Sequence, residues 1–297
     1  MTQPIESTLE SLEITLAGKP VRLVLEGKGL ENKEIWLLLP ALSTVSSRGE
    51  WYTFAEYLGK HYQLWSFDWP GFGESDRPAI HYDASTLRAA LNAILDHLKS
   101  RTQHKITLIA AGHSASIALS LVEERSNEWD KLVLVAPTWR GPLPTMTGWN
   151  PRRFDWLRQL VSMPLIGPIL YRLNTSRAIL KLMLRRHVWV SPEMLTPEKV
   201  RQQQRLSRKR GARYASVSFV SGGFDPANHS SWWLTKAELL SCPLHVVIAN
   251  EAPPNSKSEM TELANRADHV LTLEGRLGLH QEFGEKLAKL LMATENT

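Results

Sequence analysis

The sequence predicts an α/β fold: a mainly parallel, doubly wound sheet with an inserted helical cap. Three observations carry that expectation. Short, continuous apolar runs recur along the chain. They alternate with stretches of helical period, as a parallel sheet covered by helices on both faces requires. One long segment, between the fourth and fifth of these runs, breaks the alternation.

The elements follow in order. Glu13–Leu16 and Val21–Glu26 read as a hairpin, with Ala17-Gly18-Lys19-Pro20 as its turn. Ile35–Leu39 is apolar throughout and Tyr62–Phe67 is a second, mainly apolar run, the pattern of strands buried on both faces. Leu87–Leu98 has helical period. Ile106–Ala111, Leu132–Val135, Leu244–Ala249 and Val270–Leu273 supply four more strands, and Glu282–Met292 closes the chain as an amphipathic helix. The boundaries drawn are a core of residues 1–138 and 232–297 and a helical cap of residues 139–231.

Composition bounds the function. The 297 residues are 43% hydrophobic and 22% charged, an ordinary globular balance that excludes a disordered chain. A single cysteine, Cys242, excludes a disulfide framework and a cysteine-rich metal site. The start is polar and acidic, without the basic and apolar regions of a secretory signal, and no apolar run is long enough to span a bilayer. A cytoplasmic protein is expected, with peripheral membrane contact left open. The net charge of +5 is unevenly spread. Pro151–Val220 holds fifteen Lys and Arg against three acids, a net +12, which leaves −7 on the rest. A basic insert on an acidic body implies a separate task for the insert.

The strongest local signal is Ile106–Ala111 running into Gly112-His113-Ser114-Ala115-Ser116 and then into a helical stretch. Strand, Gly-x-Ser-x-small and helix is the context of a nucleophile elbow centred on Ser114. A serine in a plain strand–helix turn would merely cap the helix. A serine hydroxyl needs a base, and His280 fits, because it follows the last strand and precedes the last helix. Serine first and histidine last is the chain order of the α/β-hydrolase triad.

Phe67-Asp68-Trp69-Pro70-Gly71-Phe72-Gly73-Glu74-Ser75-Asp76-Arg77-Pro78 resembles the Asp-x-Pro-Gly-x-Gly-x-Ser-Asp-x-Pro loop of α/β-hydrolase-fold proteins of the capped esterase, epoxide hydrolase and haloperoxidase-like type. The likeness runs from about Ile35 to Leu291. Leu39-Pro-Ala-Leu-Ser-Thr-Val-Ser-Ser-Arg48 further resembles uncharacterised members of cyanobacteria and chloroplasts. The resemblance implies a serine hydrolase cleaving an ester or related acyl bond in an apolar or lipid-like substrate, without metal or organic cofactor. Ser114 would be the nucleophile and His280 the base. The Leu42 and Ala115 N–H groups would hold the oxyanion, and His113, Trp69, Trp139 and Trp149 would line the substrate pocket.

The sequence departs from that family at three places. Pro40-Ala41 stands where His-Gly is usual, Ser116 replaces a glycine, and the usual triad aspartate is missing after Leu244–Ala249. Glu251, one residue from the aligned position, is the substitute acid, with Asp225 a remote second. The missing acid supports an alternative: a catalytically weak or inactive hydrolase-fold protein that binds a hydrophobic ligand and uses its basic cap on a membrane or partner. The cap's apolar residues at helical spacing fit packing over the cleft, and its bases fit an anionic lipid surface. No nucleic-acid motif accompanies the charge. Oligomeric state is open.

Overall fold

The computed structural model describes residues 6–295. Eight strands form one sheet: β1 (Ser7–Leu16), β2 (Lys19–Lys28), β3 (Ile35–Leu39), β4 (Gln63–Phe67), β5 (Ile106–Ala111), β6 (Trp129–Val135), β7 (Leu244–Ala249) and β8 (His269–Leu273). Their order is β1-β2-β4-β3-β5-β6-β7-β8. Both pairings of β2 are antiparallel, and all pairings from β4 to β8 are parallel. The hairpin is longer than its apolar residues suggest, because β1 and β2 pair from Ser7↔Lys28 to Leu16↔Lys19 with exposed side chains on much of β1. Its turn places Ala17 (φ 48°) and Gly18 (φ 72°) both in the left-handed region, which matches the twist of two strands joined by two residues.

The apolar runs are continuous because each central strand feeds two cores. Leu37, Leu108, Ala110 and Leu134 face one core with the helices Ala84–Lys99, Ser114–Leu119 and Ser230–Glu238. Trp36, Leu38, Ile109 and Val133 face the other, with Tyr52–Leu58 and Gly284–Glu295. Alternation along a strand thus becomes burial at every position.

The cap lies between β6 and β7 and is helical throughout, with helices at Asp155–Ser162, Ile166–Asn174, Arg177–Met183, Pro197–Ser207 and Ala212–Val220. It is held by polar contacts as well as packing. Tyr171 Oη meets Ser216 Oγ at 3.0 Å, Gln204 Nε2 donates to the Thr175 carbonyl at 2.9 Å, and Arg213 Nε donates to the Val161 carbonyl at 3.1 Å. Its two ends meet: the Gly141 N–H donates to Asp225 Oδ1 at 2.8 Å. Any Cβ on Gly141 would stand 2.3 Å from the Phe219 carbonyl oxygen, so the approach needs glycine. Trp233 is fully buried in the body's core against Trp139, with ring centroids 6.4 Å apart. The helix Ser230–Glu238 that carries it packs on the body.

Candidate functional site

The Asp68–Pro78 loop is built around a buried carboxylate. Asp68 accepts the N–H groups of Arg48 at 2.7 Å and Glu74 at 2.8 Å and pairs with the Arg48 guanidinium. A Cβ on Gly73 (φ 51°) would lie 2.0 Å from Asp68 Cγ, so this glycine is required for both conformation and space. The loop thereby fixes Trp69, which is fully buried with its indole N–H shared between the Pro40 carbonyl (3.0 Å) and Ser114 Oγ (3.2 Å).

The turn after β5 is sharp, but its apex is not the serine. The residue in the left-handed region is Gly112, at φ 53°. His113 is already right-handed helical (φ −71°, ψ −16°), and Ser114 is the first residue of the following helix. The strained position of a nucleophile elbow is where strand gives way to helix, and here glycine occupies it. A Cβ on Gly112 would stand 3.1 Å from Ala41 Cβ, so a side chain at the apex would point at the loop after β3. The small residues two before and two after this apex are Ala110 and Ser114. The expected elbow is therefore displaced by two residues.

Ser114 is buried and its hydroxyl donates to the Pro40 carbonyl. A carbonyl facing the serine is the opposite polarity to an oxyanion hole, which needs N–H donors. The N–H of the same peptide group, that of Ala41, points the other way and donates to Glu50 Oε2 at 2.8 Å. The Ala115 N–H is bonded to the Gly112 carbonyl at 3.2 Å, inside the turn, and Leu42 is buried in the core. The Ala115 N–H, expected to hold an oxyanion beside Ser114, is thus committed to the turn, while the Leu42 N–H, its expected partner, follows the Pro40-Ala41 peptide in the loop after β3.

His280 is fully buried. Its Nε2 lies 3.1 Å from Glu50 Oε2, and its ring lies 4.9 Å from that of Trp51. Glu50 also accepts the Ser47 N–H at 3.2 Å. Burial pushes its carboxyl above the usual range, against the pull of His280 and of the two backbone donors. Glu251 is exposed at the surface. The acid expected to orient His280 is thus replaced by Glu50, from the other side of the molecule's sequence. Its signal lay in Ser47-Arg-Gly-Glu50, a capping-box spacing ahead of an apolar stretch.

The remaining expected residues divide. His113 is buried edge-on to Phe219, with ring centroids 5.8 Å apart, and its Nε2 is 3.4 Å from Asp225 Oδ1. Burial lowers His113 to about 4 and raises Asp225 to about 7. Asp225 therefore meets His113, not His280. Trp139 is buried against Trp233. Trp149 is half-exposed on the cap, stacked on Phe154 with Arg153 over its ring, so it lines no pocket beside Ser114. The cap also clamps the His280 loop: the Gly278 N–H donates to the Val188 carbonyl at 3.0 Å and the Leu277 N–H to that of His187 at 3.2 Å. Glu282 accepts the Val190 and Ser191 N–H groups, and Trp189 Nε1 donates to Gln281.

The family model of the alpha/beta hydrolase family matches residues 36–284. The chain belongs to that family. Solved family-fold structures superpose over almost its whole length. Cfl2 from Burkholderia cenocepacia is 21% identical with a TM-score of 0.69, covering 96% of this chain and 95% of its own. A thermophilic esterase from Thermogutta terrifontis is 16% identical with a TM-score of 0.69, covering 97% and 98%. A bromoperoxidase from Bacillus anthracis is 12% identical with a TM-score of 0.71, covering 97% and 100%. Among curated proteins, none matches this sequence. Among the described residues, no helix is long and apolar enough to cross a membrane.

Proposed function

We propose that this member of the alpha/beta hydrolase family is a binding protein whose elbow lacks a nucleophile, with the cap as its contact surface. The observation that carries this is the glycine at the apex. Acyl transfer needs a hydroxyl or thiol at the strained turn, within hydrogen-bond reach of its base. Gly112 has no side chain, and Ser114, two residues on, donates to a backbone carbonyl. His280 and Glu50 form a buried histidine–carboxylate pair, and on this reading they have no nucleophile to serve.

The competing reading is a serine esterase acting through Ser114 and His280 on an apolar ester, with Glu50 in place of Glu251. Family membership and the Gly112-His113-Ser114 triplet favour it. It requires the first turn of the helix Ser114–Leu119 to unwind and the Pro40 bond to break. Treatment with a fluorophosphonate probe separates the two. The binding reading expects no label on Ser114, and p-nitrophenyl ester turnover that Ser114→Ala and His280→Ala leave unchanged. A label on Ser114 that disappears in Ser114→Ala, with loss of turnover in both variants, would overturn it in favour of the esterase.

A further inference from the structure

The cap's outer face breaks the ordinary pattern of a soluble surface. Among the described residues, sixteen large hydrophobic side chains are exposed, and eleven of them lie between Met146 and Met183. They are not scattered. In the helix Ile166–Asn174, Ile166, Ile169 and Leu173 recur at i, i+3 and i+7, one stripe of a helix. Ile169 and Leu173 are each 62% exposed, and Leu165, in the turn before them, is 82% exposed. An apolar stripe normally turns inward; this one turns out.

The next helix, Arg177–Met183, divides its surface three ways. Leu180, with Leu184 just beyond the helix, is buried against the cap. Leu182, at 59% exposure, stands opposite with Ile179 and Met183 beside it. Arg177, Lys181 and Arg185 follow at i, i+4 and i+8 along one flank, all exposed. Arg172 and Arg186 add to the same basic field. From Trp139 to Pro192 the only acid is Asp155, which pairs with Arg158. Carboxylates therefore do not neutralise this field from within the segment.

We propose that the outer face of the cap, from Met163 to Arg186, docks on an anionic lipid bilayer. Exposed apolar side chains and unneutralised cations in alternation make two demands at once. A bilayer carrying acidic headgroups meets both, taking the apolar side chains at the acyl boundary and the cations at phosphate level. A second copy docked face to face would bring two caps of net +12 together, which like-charge repulsion opposes. The docking face is separate from the elbow, so this inference does not rest on the catalytic reading.

Flotation of the full chain with vesicles tests it. Binding is expected to vesicles of phosphatidylcholine carrying phosphatidylserine, not to phosphatidylcholine alone, and is expected to weaken as salt rises. Leu165→Asp with Ile169→Asp should weaken binding by about tenfold or more. Arg185→Glu with Arg186→Glu should weaken it by on the order of a hundredfold. These side chains are exposed, so both variants should keep the wild-type Tm. Ser114→Ala should bind as the wild type does, which keeps this test apart from that of the elbow. No binding to the acidic vesicles, equal binding to neutral ones, or unchanged binding by both double variants would overturn the proposal. So would a dimer in solution that Leu165→Asp with Ile169→Asp dissolves while the vesicles stay bare.

Discussion

Ser114 and His280 are joined through one peptide group. The serine hydroxyl donates to the carbonyl of Pro40, and the N–H of Ala41, on the same peptide, donates to Glu50 Oε2, which Nε2 of His280 meets at 3.1 Å. The Pro40–Ala41 peptide and the Glu50 carboxylate thus connect the two side chains in series.

The first prediction concerns the apex. Gly112→Ser should cost about 1–2 kcal/mol, because an L-residue must hold φ 53°. The new Cβ must also sit 3.1 Å from Ala41 Cβ, a tight contact. Its hydroxyl would stand at the strained turn, facing the loop that carries the Glu50 contact. Fluorophosphonate labelling of residue 112 is expected in this variant and not in the same variant with His280→Ala. Mass spectrometry of the labelled peptide checks both.

The second concerns the acids. Glu50→Ala leaves buried His280 and two backbone N–H groups without their acceptor, and should cost about 3 kcal/mol or more. Glu251→Ala changes an exposed side chain and should stay within about 0.5 kcal/mol. Urea unfolding of the two variants gives the contrast. Equal stabilities would remove Glu50 from its place beside His280.

The third concerns Ser114 itself. Ser114→Ala removes a buried hydroxyl, but Trp69 Nε1 still has the Pro40 carbonyl at 3.0 Å. One acceptor therefore stays satisfied, and a loss of about 1 kcal/mol is expected. A loss above about 3 kcal/mol in urea unfolding would mean that the hydroxyl holds more than this one contact.

The fourth is a pH dependence with two opposed parts. Burial raises Asp225 from 3.8 to about 7, so the folded protein keeps a proton that the unfolded chain releases. That contribution is full below pH 4 and is lost as pH rises through 7. Burial lowers His113 from 6.5 to about 4, so its contribution is full above pH 6.5 and is lost as pH falls through 4. Between roughly pH 4.5 and 6 the two slopes, each up to about 1.4 kcal/mol per pH unit, oppose each other. Asp225→Asn leaves the histidine slope alone. Relative to the wild type, its Tm should fall more steeply from pH 6.5 to pH 4.5, and parallel curves would refute the assignment.

The architecture was legible in the sequence because it rests on periodicity. Ile35–Leu39 and Ile106–Ala111 carry the double burial of central strands in their composition alone. The extra length of the hairpin was not, since polar residues such as Glu10 and Lys28 bear no apolar signal; their side chains are held by distant partners, Glu10 by His97 and Arg101 and Lys28 by Glu56. At the site, the letters Gly112-His113-Ser114 match a motif whose meaning depends on which residue takes a positive φ. A frame with Gly112 at the apex also puts small residues at Ala110 and Ser114, and leaves Ile117-Ala118-Leu119 to the helix's buried face. That second match was available, but a motif search favours the serine. Glu50 was hidden for another reason. It lies 230 residues from His280, and only the folded chain brings them together.

The hydrogen bond between Gly141 and Asp225 joins positions 84 residues apart in the chain. To the sheet, the whole excursion between β6 and β7 therefore behaves as a short loop, whatever its contents. Closing a long loop has an entropic cost for the body, but here the insert's own folding brings its ends together. The cap is in this sense closed at its base, with residues 187–191 reaching separately across to the His280 loop. It could be exchanged for a few residues of linker without altering the register of any strand.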